Sequence, residues 1–159
     1  EITPLEASTV NMAELLSDVV TSLEAQAHTE NRRLTLITPN APWPLPKISG
    51  DPDLLLLAIH NLLDNAIKFT SPGDTIEIRA SDDESGIVIE VADTGPGIPE
   101  NEIDQVWEEL YRSEQARSVS GSGLGLSLVR AIIEKHGGKV ALRSKSDQGT
   151  VFSVRLPTR

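Results

Sequence analysis

The positions with most chemical content are Asn61 and Asn65, four residues apart, with Lys68 one turn further on. On a helix that spacing puts both amides and the ammonium on one side. Amide oxygens suit a hydrated magnesium ion, which takes oxygen ligands and keeps several waters, and a neighbouring ammonium suits phosphate oxygens. An ordinary solvated helix face reads the same way, so the pattern needs partners elsewhere in the chain.

Three further segments offer them. Asp93-Thr94-Gly95-Pro96-Gly97-Ile98-Pro99 carries a carboxylate followed by two alternate glycines. Asp93 can accept a hydrogen bond from an exocyclic amine such as that of adenine, and the glycines permit close ligand approach. The plainer alternative is a tight surface turn. Gly121-Ser122-Gly123-Leu124-Gly125-Leu126 opens a helix, where unpaired N–H groups and the dipole favour a di- or triphosphate. It lacks the Lys-Ser or Lys-Thr pair of a Walker loop and the spacing of dinucleotide folds, and a flexible linker with a helix cap is the alternative. In Trp107-Glu108-Glu109-Leu110-Tyr111-Arg112, the guanidinium of Arg112 fits a terminal phosphate whose charge changes during transfer. Otherwise Trp107 and Leu110 are an apolar anchor beside an incidental arginine.

Hydrophobic periodicity supplies the elements that must position these groups. Val10, Leu15, Val19 and Leu23 predict an amphipathic helix to about Ala27. Arg33 to Thr38 reads as a strand, followed by a proline-stiffened, exposed loop through Pro46. Asp51 caps a long helix to about Phe69, with Leu55, Ile59, Leu62, Leu63 and Ala66 on its apolar face and Asn61, Asn65 and Lys68 opposite. Period-two alternation over Ile76, Ile78 and Ala80, then Ile87, Ile89 and Val91, predicts a hairpin. Ile103, Val106, Trp107 and Leu110 predict a short helix ahead of a mobile polar stretch, Ser113 to Gly123. A helix from Leu124 to about His136 stops at Gly137-Gly138, and Val140 to Ser144 pairs with Val151 to Leu156. The sum is an α+β fold: a two-layer α/β sandwich, its mixed sheet of about five strands covered on one face by about three helices.

Composition narrows the classes. The 159 residues, 38% hydrophobic and 24% charged, suit one domain with an aliphatic core. A net charge of −10 disfavours bulk attraction to nucleic acid or anionic lipid, and the absence of cysteine removes thiol and disulfide chemistry. No apolar run reaches the roughly 20 residues of a membrane-spanning helix.

In this order and spacing the four segments resemble the N, G1, F and G2 boxes of the histidine-kinase ATPase family, the catalytic domain of sensor histidine kinases. That domain belongs to a superfamily shared with DNA gyrase, heat-shock chaperone and mismatch-repair ATPases. The resemblance runs from about Asn11 to Leu156 and implies residues 1–159 as one catalytic domain binding ATP and Mg2+. It implies Asn65 as the metal residue, Asn61 beside it on phosphate or metal-bound water, and Lys68 on phosphate. Phe69 would border the adenine, Asp93 would read it, Gly95 and Gly97 would shape its pocket, and Ile98 would line it. Arg112 would approach the γ-phosphate, Ser113 to Gly123 would form a lid, and the backbone of Gly121, Gly123, Leu124 and Gly125 would cradle phosphates. Tyr111, Ser122 and Leu126 complete the implied ATP set, and Asn61, Lys68 and Arg112 are the implied catalytic residues.

The implied reaction donates the γ-phosphate to a histidine on the kinase's own dimerisation domain, in two-component signalling with a response regulator and without nucleic-acid or membrane contact by this domain. The resemblance implies a homodimeric parent, with or without a membrane anchor, and this domain in the cytoplasm. Two departures stand out: Trp107 occupies a position usually held by Phe, and no phosphoacceptor segment of the Ser-His-Glu-Leu-Arg type is present. His28, His60 and His136 read as structural or surface residues rather than acceptors. Competing readings are an ATP-hydrolysing machine, which would want a glutamate at Asn61 because an amide is no general base, a non-catalytic nucleotide scaffold, and a related serine kinase.

Overall fold

The computed structural model describes residues 7–38, 45–107, 125–145 and 148–158. Helix α1 (Met12–Thr29) starts where the Asn11 side chain accepts the Glu14 N–H at 3.1 Å. It buries Met12, Leu15, Leu16, Val19, Leu23 and Ala27. Asn31, at φ 62°, turns the chain out of the helix, a conformation asparagine tolerates better than most residues. Strand β2 (Arg33–Ile37) follows.

Helix α2 (Pro52–Phe69) is the centre of the core. Asp51 accepts the N–H groups of Asp53 and Leu54 at 3.1 and 3.2 Å, and Pro52 sits in the first turn, where an N–H has no helical partner. Leu55, Ala58, Ile59, Leu62, Leu63, Ala66 and Ile67 are buried. Each fully buried Leu or Ile stabilises by about 1.5–3 kcal/mol relative to exposure, so this face holds the helix in place.

Strands β4 (Thr75–Asp83) and β5 (Gly86–Asp93) form the expected hairpin. After α3 (Gly125–Lys135), strands β6 (Lys139–Lys145) and β7 (Gly149–Pro157) form another. The five strands lie in the order β2-β4-β5-β7-β6. β2 runs parallel to β4 and the other neighbours are antiparallel, which makes the sheet mixed. Ile76, Ile78, Ile87, Ile89, Val91, Phe152, Val154 and Leu156 point into the helical layer. The other face carries ion pairs such as Arg143–Glu90 at 3.2 Å and Arg155–Asp83 at 2.8 Å. The two-layer α+β sandwich is therefore as the periodicity predicts.

Three local expectations change. A second, two-stranded sheet pairs β1 (Ser8–Val10) with β3 (Ile48–Gly50). Residues 100–105 form a 3-10 helix rather than an α-helix, consistent with i, i+3 apolar spacing at three residues per turn. Leu45, expected in an exposed loop, is buried in the core.

Candidate nucleotide site

α2 and α3 run antiparallel, and both ends of the pair are tied. At one end the ring of His136 lies between them: its Nδ1 donates to Ile132 O at 2.8 Å and its Nε2 accepts the Asp51 N–H at 3.0 Å. Both nitrogens are used by the backbone, which makes His136 a structural residue. At the other end Gly125, the first residue of α3, comes so close to α2 that a Cβ there would lie 3.3 Å from Asn65 Nδ2 and 4.0 Å from the Asn61 Cβ. The positive dipole end of α3 therefore abuts both asparagines.

Asn61 and Asn65 are half-buried, and no hydrogen bond from a described residue engages either amide. Among the described residues no group of three or more His, Asp or Glu is arranged for a metal. The donor set is amide oxygen, which fits magnesium held together with phosphate and water and does not fit zinc. Lys68 pairs with Asp64 at 2.9 Å in the favourable i, i+4 order.

The second part of the site lies where α2 ends. Asp93 Oδ1 accepts the Gly95 N–H at 2.9 Å. A Cβ on Gly95 would meet Thr70 Cγ2 at 3.0 Å and Asp93 Oδ1 at 3.1 Å, so a side chain there would crowd the loop against the end of α2. Gly97 adopts φ 77°, where other residues are strained. Burial pushes the Asp93 carboxyl up to about 6, against the pull of the Gly95 and Thr150 N–H groups. Such a half-desolvated carboxylate gains from a neutral amine donor.

Residues without a motif hold this loop. The Ile98 N–H donates to Ser144 Oγ at 2.7 Å, and Ser144 donates to Gly149 O at 3.0 Å while lying 2.8 Å from Thr150 Oγ1. Ser144 and Thr150, with Thr70 on the other side of Gly95, thus brace the candidate loop through contacts that single segments do not reveal. Trp107, the expected anchor, packs edge-on against Phe152 with centroids 5.6 Å apart. Phe69 is half-buried at the end of α2, while the side chain of Leu126, expected in the ATP set, is buried in the core. Tyr111, Arg112, Gly121, Ser122, Gly123 and Leu124 lie outside the described residues.

From Asn61 to Thr70 the α2 axis spans about 13 Å, the reach of a nucleoside triphosphate. A carboxylate and glycine loop stand at one end of that span; amides and a helix N-terminus stand at the other. Fold and site together place the chain in the class of two-layer α+β domains with a mixed five-stranded sheet. The family model described as histidine kinase-, DNA gyrase B-, and HSP90-like ATPase matches residues 50–159. The chain belongs to that family.

Among known proteins, the chain is 38% identical over 144 residues to the adaptive-response sensory kinase SasA of Synechococcus elongatus, covering 90% of this chain and 36% of that one. It thus spans about a third of that relative's length. The catalytic domain of histidine kinase ThkA, in a nucleotide-free form, superposes with a TM-score of 0.83 at 28% identity, covering 96% of this chain and 98% of that one. ThkA in complex with the response regulator protein TrrA gives a TM-score of 0.80 at 26% identity over 98% of this chain and 42% of that one.

Proposed function

We propose that this chain binds Mg·ATP between α2, α3 and the Asp93–Pro99 loop and presents the γ-phosphate to a histidine on a separate helical dimerisation domain. The observation that carries the reading is the meeting of Gly125 with Asn65 and Asn61, residues remote in sequence. Asp93 accepts the adenine amine, Gly95 and Gly97 let the ring approach, and Phe69 and Ile98 border it. Asn65 would hold magnesium, with Asn61 beside it supporting the phosphates. When bound, the ion neutralises charge on the phosphates.

Lys68 leaves Asp64 for a phosphate oxygen, and Arg112 steadies charge on the transferring group. Tyr111 borders the nucleotide, Leu126 anchors the start of α3 in the core, and the backbone from Gly121 to Gly125, with Ser122, closes on the phosphates. Positioning and charge stabilisation supply catalysis, as is general for phosphoryl transfer. The partners are the dimerisation domain of a homodimeric kinase and, downstream, a response regulator of the kind ThkA binds; in the cell this domain works on the cytoplasmic side. The test adds a histidine-bearing hairpin from a cognate kinase, in trans, to the chain and labelled Mg·ATP. An acid-labile phosphohistidine on the hairpin, with none on this chain, is expected. ATP binding without transfer to any such hairpin defeats the proposal.

A further inference from the structure

Thr70 stands between the end of α2 and the Asp93–Gly95 loop, and something grips it from behind. Arg32, just beyond α1, sends Nε to Thr70 Oγ1 at 3.1 Å and Nη2 to the Thr70 carbonyl, while Nη1 holds Glu30 O at 2.7 Å. Thr70 is buried, and its hydroxyl donates to Ala66 O at 2.8 Å. Its methyl is the atom that a Cβ on Gly95 would meet first. Contacts therefore run from Arg32 through Thr70 to Gly95, whose N–H fixes the Asp93 carboxylate.

The planar guanidinium is what allows this grip. It offers parallel donors to a hydroxyl and a carbonyl of one residue, a geometry an ammonium does not reproduce. The neighbouring turn is held independently: the Gly73 N–H donates to Asn31 O at 2.8 Å, Arg33 N–H to Asp74 O at 3.0 Å, and Thr94 N–H to Thr75 O at 3.1 Å. An open cleft of about 350 Å³ lined by His28, Asn31, Arg32, Arg33, Gly73 and Thr75 adjoins the grip. A shorter or unbranched side chain at position 32 has room to turn into that cleft.

We propose that Arg32 is a positioning residue for purine recognition, holding Thr70 against Gly95 and thereby setting Asp93 toward the base. This rests on reading the cleft as an ATP site. Arg32 touches neither base nor phosphate and acts through Thr70 alone.

The experiment measures affinity of wild type, Arg32→Met and Arg32→Lys for adenosine and, separately, for magnesium tripolyphosphate, by NMR titration with thermal melting alongside. Arg32→Met is expected to weaken adenosine about tenfold, the effect of losing a charged hydrogen-bond pair, and to leave tripolyphosphate within about twofold. Arg32→Lys should recover less than half of the loss on a logarithmic scale, for want of the fork. Equal weakening of both ligands would reduce Arg32 to a general stabiliser and overturn the proposal, as would unchanged adenosine affinity in Arg32→Met.

Thr70→Ser gives a second route if Arg32→Met does not fold. It keeps the hydroxyl and removes the methyl behind Gly95, so adenosine alone should weaken; no change in it overturns the proposal. Wild type that binds neither adenosine nor ATP brings down the ATP reading itself. Wild type that binds adenosine, matched by Arg32→Met, brings down only the role of Arg32.

Discussion

At the scale of single residues, Asp93 decides most. Burial raises its carboxyl from 3.8 to about 6, so the folded chain holds an extra proton across that interval. The charged carboxylate therefore lowers stability above the folded value, and this cost disappears as pH falls through about 6 toward 3.8. Purine binding runs the other way, because the amine needs the carboxylate as acceptor. Adenosine affinity should fall about tenfold between roughly pH 7.5 and pH 5, and Asp93→Asn should flatten that profile. A flat wild-type profile excludes Asp93 from base recognition. At neutral pH, Asp93→Asn should weaken ATP by about 1–3 kcal/mol in calorimetry. Asn65→Ala should make ATP binding indifferent to EDTA; an unaltered EDTA response would free Asn65 of its metal role.

At the scale of elements, the α2–α3 pair is the proposed phosphate end of the site, and His136 ties its far end. His136→Leu leaves the Asp51 N–H without its acceptor and should destabilise the fold by about 1–3 kcal/mol in urea denaturation. A change under about 0.3 kcal/mol would mean that water replaces the ring without loss. α2 is legible in the sequence because an Asp-Pro start and five apolar positions at helical spacing agree, and the structure adds Ala58 and Ile67 to that buried face. The pairs β4–β5 and β6–β7 were legible from alternation bounded by turn residues. β1 and β3 were not, since three residues show no period and their pairing joins Ser8 to Gly50. The polarity of the asparagine face follows from its residue types, whereas its place as the seat of α3's first turn does not. Thr70, Ser144 and Thr150 escaped for a related reason. Their roles arise from bonds such as Arg32–Thr70 and Ile98–Ser144, which no local spacing encodes.

At the scale of the molecule, an acidic chain of net charge −10 is expected to hold a polyanion. In the proposed site, contact-range donors (the α3 N-terminus, a magnesium ion and Lys68) would make this feasible, while the distant charges are screened beyond about 10 Å at 0.1 M salt. Because the ligand binds only the folded state, Mg·ATP at about 100 times its Kd should add about 2.7 kcal/mol of stability. EDTA should remove most of that gain, and an equal shift with and without magnesium would contradict the metal's place between asparagine and phosphate. The most direct test is a crystal structure with magnesium and a non-hydrolysable ATP analogue. The purine amine should lie within hydrogen-bond distance of the Asp93 carboxylate, with the metal on the Asn65 amide oxygen and phosphates at the start of α3. A nucleotide bound elsewhere, or turned so that its phosphates meet Asp93, would contradict the account.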